Sequence, residues 1–251
     1  MKKNLFLPLI LVISHSLISC SSKETVDPNS AEGLYNRGLE LEKNERYEEA
    51  AEKFKEVRNK FPYSKVTTDA ELKLADVYYK QEAFPESQVA YQSFKDLHPK
   101  HPSIDYVTFQ LAMSYYMQLP PTIDRDLTLS QKAITYFDEI ITSYPNSKHA
   151  KEAKDKKQDV RTKLASKEDY IADFYFKREK YESALGRYED LLEDFPNLGF
   201  DERALFRAAY SAHKIGQLDK SNKYFSRLKE KHPKSEFIKQ MAKLKGSDGK
   251  H

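Results

Sequence analysis

Side chains able to do covalent or metal chemistry are few and scattered in this chain of 251 residues. Its single cysteine, Cys20, has no partner for an intrachain disulfide. His98 and His101 lie close together, but each precedes a proline, and no acidic or cysteine ligand pattern accompanies them. A metal site needs several converging N, O or S ligands, so none is expected there. His149 and His213 are isolated. No H-E-x-x-H, G-x-S-x-G, Walker A or G-x-G-x-x-G run occurs. Carboxylates are spread among Lys and Arg at helical spacings, as on solvated helix faces. These residues predict no catalytic set, no cofactor and no metal, and they leave two kinds of chemistry: modification of Cys20 and binding.

Cys20 sits where processing chemistry would place it. Lys2 and Lys3 form a positive start, Leu5 to Ile13 is an uncharged apolar run, and Leu17-Ile18-Ser19 leads into Cys20. The apolar run is too short for an ordinary membrane span. The pattern resembles a bacterial lipobox, which implies a thioether to diacylglycerol, cleavage before Cys20 and acylation of the new amino group. An ordinary secretory signal with a chance cysteine is the alternative. Residues 1–19 then belong to a cleaved signal and not to the fold. Several acyl chains make a stable anchor, at about 0.8 kcal/mol per buried methylene. Ser21, next to the cysteine, is compatible with outer-membrane sorting. Residues 20–30 read as the lipidated cysteine and a flexible tether.

The remainder must supply the elements that position a binding surface. Charged residues make up 32% of the chain, yet 12% aromatics argue against disorder. A net charge of +3 with both signs intermixed excludes a nucleic-acid binder. Five pairs punctuate the sequence: Phe61-Pro62, His98-Pro99, Tyr144-Pro145, Phe195-Pro196 and His232-Pro233. Proline stops a helix and pushes the preceding residue out of α geometry. Small and aromatic residues repeat at fixed offsets before them. Gly38, Ala50 and Phe54 form the first set; Ala75, Tyr78, Ser87 and Tyr91 the second; Ala112, Tyr115, Ala133 and Phe137 the third. Ala172, Tyr175, Ala184 and Tyr188 form the fourth, and Ala209, Ser221 and Phe225 the fifth. This is the tetratricopeptide pattern. It predicts an all-α fold, a right-handed superhelix of five helix pairs.

Gln118 to Thr128 contains Pro120-Pro121 and reads as a loop lengthening the third unit. Ser147 to Lys180 holds no Gly or Pro and has apolar residues at helical steps, so it reads as one long helix, with a break near Ser166 as the alternative. Units one to three occupy residues 31–146, units four and five 147–242, and the polar stretch 243–251 reads as a disordered tail.

In such a stack the first helices of the pairs line a concave face. Its positions fall on Tyr35 and Leu39, then Leu72, Asp76 and Tyr79, then Tyr106, Phe109, Met113 and Tyr116. Aromatics and Met there suit an extended or hairpin peptide with apolar side chains. Packing against the next repeat is the competing role for each.

Several stretches together resemble the BamD family, the tetratricopeptide lipoproteins of the outer-membrane β-barrel assembly machine. They are Phe61-Pro62-Tyr63-Ser64, Ala75-Asp76-Val77-Tyr78-Tyr79-Lys80, His101-Pro102-Ser103-Ile104-Asp105-Tyr106-Val107, Arg125-Asp126, Tyr144-Pro145-Asn146-Ser147 and Ala172 to Arg178 leading into Tyr181 to Arg187. The resemblance spans Cys20 to about Leu244, and the His101 to Val107 stretch is its most specific part. It implies a lipid-anchored protein on the periplasmic face of the outer membrane. The implied partners are the POTRA domains of the β-barrel insertase, other assembly lipoproteins and unfolded outer-membrane proteins. It places Arg187 at the insertase contact, where a guanidinium could pair bidentately with a carboxylate; an ion pair with Glu182, Glu189 or Asp190 on its own helix is the alternative. The insertion at 118–128 is shorter than in enterobacterial members, so the accessory lipoprotein of those species is absent or docked differently. Gly186 weakens its helix by up to about 1 kcal/mol relative to Ala, with no reason visible in the sequence. Two other readings stay open at this point: another tetratricopeptide envelope lipoprotein, such as a secretin pilotin or a cell-envelope coordinator, and an envelope enzyme outside the known motifs.

Overall fold

A computed structural model describes residues 26–247. Among the described residues the regular structure is helical throughout. The first pair is α1 (Ala31–Lys43) and α2 (Tyr47–Lys60), followed by α3 (Thr67–Lys80) with α4 (Phe84–Leu97), and α5 (Ile104–Met117) with α6 (Ser130–Ser143). Then come α7 (Ala150–Lys177) with α8 (Tyr181–Asp194), α9 (Asp201–Lys214) with α10 (Leu218–Lys231), and a single α11 (Glu236–Ser247). Each helix packs on the next in the chain, and α1 on α3, α7 on α9 and α9 on α11 add contacts one pair apart. This is the stack of five helix pairs that the proline spacing predicts, closed by one extra helix.

The punctuation works as its chemistry requires. Phe61, His98, Tyr144, Phe195 and His232 end their helices with φ between −126° and −133°, and each gives its N–H to the carbonyl four residues back. Inside the pairs the small residues allow close approach. A Cβ on Gly38 would lie 2.6 Å from the Phe54 ring, which is itself fully buried. Ala75, Ala112, Ala172 and Ala209 are likewise buried.

The long segment before α8 is one helix. Ser166 continues it, its hydroxyl donating to the Thr162 carbonyl at 2.8 Å. Its 28 residues extend about 42 Å at 1.5 Å each. Ala153 and Val160 join the core around α5 and α6, and Ala165 and Ala172 join the core around α8 and α9. Gln118 to Thr128 is irregular, with Asp126 capping its end through the Thr128 N–H at 2.9 Å.

The expected irregular tail is corrected in part: α11 carries helix through Lys243 to Ser247. Met241 is fully buried and Leu244 packs on the same core, so the helix is held by apolar contacts that its polar neighbours conceal in sequence. Residues 248–251, the signal segment 1–19 and the lipidated end of the tether with Cys20 lie outside the described residues.

Candidate protein-binding surface

The face predicted to bind is built on α1, α3 and α5. Its centre is polar. Asp76 on α3 accepts hydrogen bonds from Tyr91 of α4 at 2.7 Å and Tyr106 of α5 at 2.8 Å. Burial pushes the Asp76 carboxyl above its ordinary range, against the opposing pull of the two tyrosines. Burial likewise raises the Tyr91 and Tyr106 hydroxyls, with Asp76 adding to the effect, so both remain donors. Beside this node the buried Glu42 of α1 receives Lys80 at 2.7 Å and Lys73 at 3.2 Å. The node therefore fixes three helices through one carboxylate.

Around it, Tyr35 packs its ring on Phe54 at 5.8 Å, and Tyr79 meets Phe84 edge-on at 5.4 Å. Tyr35, Leu39, Leu72, Tyr79 and Tyr106 are half-buried, each with surface left to present. Phe109 and Met113 differ. They are 5% and 8% exposed, and Phe109 stacks on His149 at 4.6 Å. In the chain by itself they are packing residues and do not line a groove, because the turn and first half of α7 lie over this part of α5. Tyr116 marks the edge: its hydroxyl donates to Asp159 of α7 at 2.5 Å, and Lys156 sits 4.8 Å from its ring centroid. Burial, with the Asp159 hydrogen bond, pushes that hydroxyl up to about 12.

A second node repeats the first. Asp173 of α7 pairs with Arg207 of α9, Arg207 donates to the Tyr188 hydroxyl at 3.0 Å, and Arg203 pairs with Asp169. Asp173 and Tyr188 follow Asp76 and Tyr91 at one common interval, and Arg203 stands where Tyr106 stands. The signal was present in the second-helix aromatics, which alternate Phe54, Tyr91, Phe137, Tyr188, Phe225. Tyr occurs where the first helix carries Asp, and Phe where it carries Leu39, Met113 or Tyr210.

Arg187 on α8 is 44% exposed at its side chain, and its guanidinium is held by Glu168 of α7 at 3.0 Å. The same-helix carboxylates do not hold it; Glu189 instead receives Tyr224 at 2.8 Å and Lys220 at 2.9 Å. Gly186, its neighbour, has nothing within 4 Å of where a Cβ would stand.

Among the described residues no group of three or more His, Cys, Asp or Glu is placed to hold a metal ion. His98 instead bonds Glu71 at 2.7 Å, tying the end of α4 to α3. No described helix is long and apolar enough to cross a membrane.

Comparison with known proteins finds sequence relatives over nearly the whole chain. A BamD outer membrane protein assembly factor from Rickettsia prowazekii is 31% identical over 94% of this chain and 95% of its own. One from Neisseria meningitidis serogroup A is 27% identical over 92% of each. Among solved structures, the TPR2AB domain of yeast Sti1 in its pHSP90 complex gives a TM-score of 0.43 at 13% identity, covering 83% of this chain and 80% of that one. A family profile described as outer membrane lipoprotein (YfiO) matches residues 27–228. The chain belongs to that family, the one in which the BamD assembly factors stand.

Proposed function

We propose that the protein is a lipid-anchored scaffold subunit of the machine that assembles β-barrel proteins in the outer membrane, and that it is not an enzyme. Membership of a family whose relatives carry the assembly-factor name is the observation that carries this reading. Cys20 would hold the chain on the periplasmic face through its acyl chains, palmitate among them, and residues 21–30 would tether the stack to that surface. The units in 31–146 would receive targeting strands of incoming barrel proteins on the half-buried residues around Asp76: Tyr35, Tyr79, Tyr106 and Tyr116. The Tyr35 and Tyr79 hydroxyls and the remaining N–H groups of Lys73 and Lys80 are donors suited to strand carbonyls, and the rings give apolar side chains a floor.

The units in 147–242 would dock the POTRA region of the insertase at Arg187. Glu168 holds this guanidinium by one nitrogen, which leaves donors free for a carboxylate of the partner. Arg187→Glu reverses that charge and also sets it against Glu168. It is expected to cut co-purification of the insertase by about tenfold or more while leaving helicity by circular dichroism unchanged. Undiminished co-purification would remove Arg187 from the interface.

A further inference from the structure

One face of α7 changes its cover halfway along. Ala153, Val160, Lys167 and Phe174 recur at seven-residue steps and so form one strip. Ala153 and Val160 are sealed in the core with Ala133, Phe137 and Ile140 of α6. But α6 has 14 residues and α7 has 28, so α6 can cover only about 21 Å of it. The next turns take the 118–128 loop: Lys163 and Lys167 donate to the carbonyls of Pro120 at 2.7 Å and Arg125 at 3.1 Å. Beyond the loop the strip is bare. Phe174 is 42% and Tyr170 63% exposed, and the Arg178 guanidinium lies 3.6 Å from the Phe174 ring centroid.

This bareness is an exception within the fold. Counted from the small residue of each first helix, Phe174 takes the place of Val77, Ser114 and Ser211, all three fully buried. Ser114 shows what the place faces, because its hydroxyl meets that of Ser87 at 3.0 Å on α4, the second helix of the preceding pair. In α1, which has no preceding pair, the place holds the exposed Glu40, paired with Arg37 at 2.6 Å. Thus α1 meets water with charge, whereas α7 presents Phe174, Tyr170 and the half-buried Ile171 where a preceding helix is missing.

We propose that a helix of a partner protein, apolar on one side and acidic at its margins, seats in this step along α7. A helix is the element this fold places against the equivalent positions of α3, α5 and α9. The acidic margin follows from charge: Lys177 is already paired with Asp173 at 2.7 Å, but Lys163 spends its ammonium on a carbonyl and Arg178 its guanidinium on a ring and on the Phe174 carbonyl at 3.4 Å, so these two rim cations have neutral partners. A second copy of this chain would bring like charges together. The inference is separate from the Arg187 contact and stands if that contact fails.

The test uses the full-length protein in its native envelope. A photoreactive phenylalanine analogue replaces Phe174, Tyr170 or, as reference, Val89, an exposed apolar residue on α4. Positions 174 and 170 should give adducts to one segment of one protein, mapped by mass spectrometry. That segment should carry apolar residues at helical spacing flanked by Asp or Glu, and position 89 should not reach it. Arg178→Glu should lower the adduct yield by about tenfold or more with the thermal midpoint unchanged. Adducts to lipid alone, to a second copy of this chain or to no protein would overturn the proposal. So would a yield indifferent to Arg178→Glu.

Discussion

Gly38→Ala and Gly186→Ala make the same chemical change in two helices, and the structure gives them opposite signs. In both, alanine recovers helix propensity, about 0.5–1 kcal/mol. At Gly186 nothing lies within 4 Å of the new methyl, so that gain is the whole effect. At Gly38 the methyl would stand 2.6, 2.9 and 3.0 Å from three carbons of the Phe54 ring. That ring is fully buried and held by Tyr35 at 5.8 Å, so it has no open space to swing into. Overpacking of this kind costs typically about 1–3 kcal/mol, occasionally more, which leaves Gly38→Ala destabilising by about 1–2 kcal/mol net. For a protein of this size the thermal midpoint should rise by about 1–3 °C for Gly186→Ala and fall by about 3–6 °C for Gly38→Ala. Thermal and urea unfolding of the purified mature protein, read by circular dichroism, measures both. A Gly38→Ala variant as stable as the parent would refute the claim that this helix pair closes on Phe54 with no slack. A destabilised Gly186→Ala would show that the bare site is not bare.

Asp76→Ala takes the acceptor from the hydroxyls of the buried Tyr91 and the half-buried Tyr106; the loss should be about 2–4 kcal/mol by urea unfolding and should exceed that of Tyr106→Phe, which removes one donor and leaves Asp76 its bond from Tyr91. His149 stacks on Phe109, and burial holds its pKa below the ordinary 6.5. A base whose folded pKa is depressed supports the fold above its unfolded value and loses that support as pH falls through 6.5 toward the lower folded value. The parent should therefore lose stability across this window by thermal melting, and His149→Gln should flatten the slope there.

Much of this architecture could be read from residue types because the signals are local. A proline and the residue before it fix a helix end within two positions, and a small residue paired with an aromatic twelve or more residues later marks a close crossing. The continuity of α7 was legible for the same reason, since no breaker interrupts it. What escaped is non-local. Nothing near Phe109 says that the chain returns forty residues later to cover it through His149. Arg187 has three carboxylates within five residues of it on its own helix, yet the one that holds it is Glu168 on the neighbouring helix. The Asp169–Arg203 and Asp173–Arg207 pairs join α7 to α9, and only the Phe/Tyr alternation of the second helices hints at them. Leu244 looks like one apolar residue in a polar tail until the C-terminal core supplies the surface it packs on.

The same long helix decides how the two proposed binding regions are coupled. Val160 is sealed in one core and Ala165 in the other, so little more than one turn of α7 links them along the chain, flanked by the Lys163 and Lys167 bonds to the 118–128 loop and the Arg161 bond to the Asp194 carbonyl. That turn lies in a helix, not a linker, and a proline should uncouple what it joins. Ser166→Pro removes the N–H bonded to the Thr162 carbonyl and drives the ring against that carbonyl, at a cost of about 3 kcal/mol or more. The apolar contacts of Ala153 and Val160 on one side, and of Ala172 on the other, are left in place. Scanning calorimetry should then resolve two transitions where the parent shows stronger coupling, with the lower one carrying part of the unfolding heat. If Ser166→Pro instead lowers one sharp transition without splitting it, the cores are held together by more than α7, and the Lys163 and Lys167 contacts with the 118–128 loop become the connection to break next.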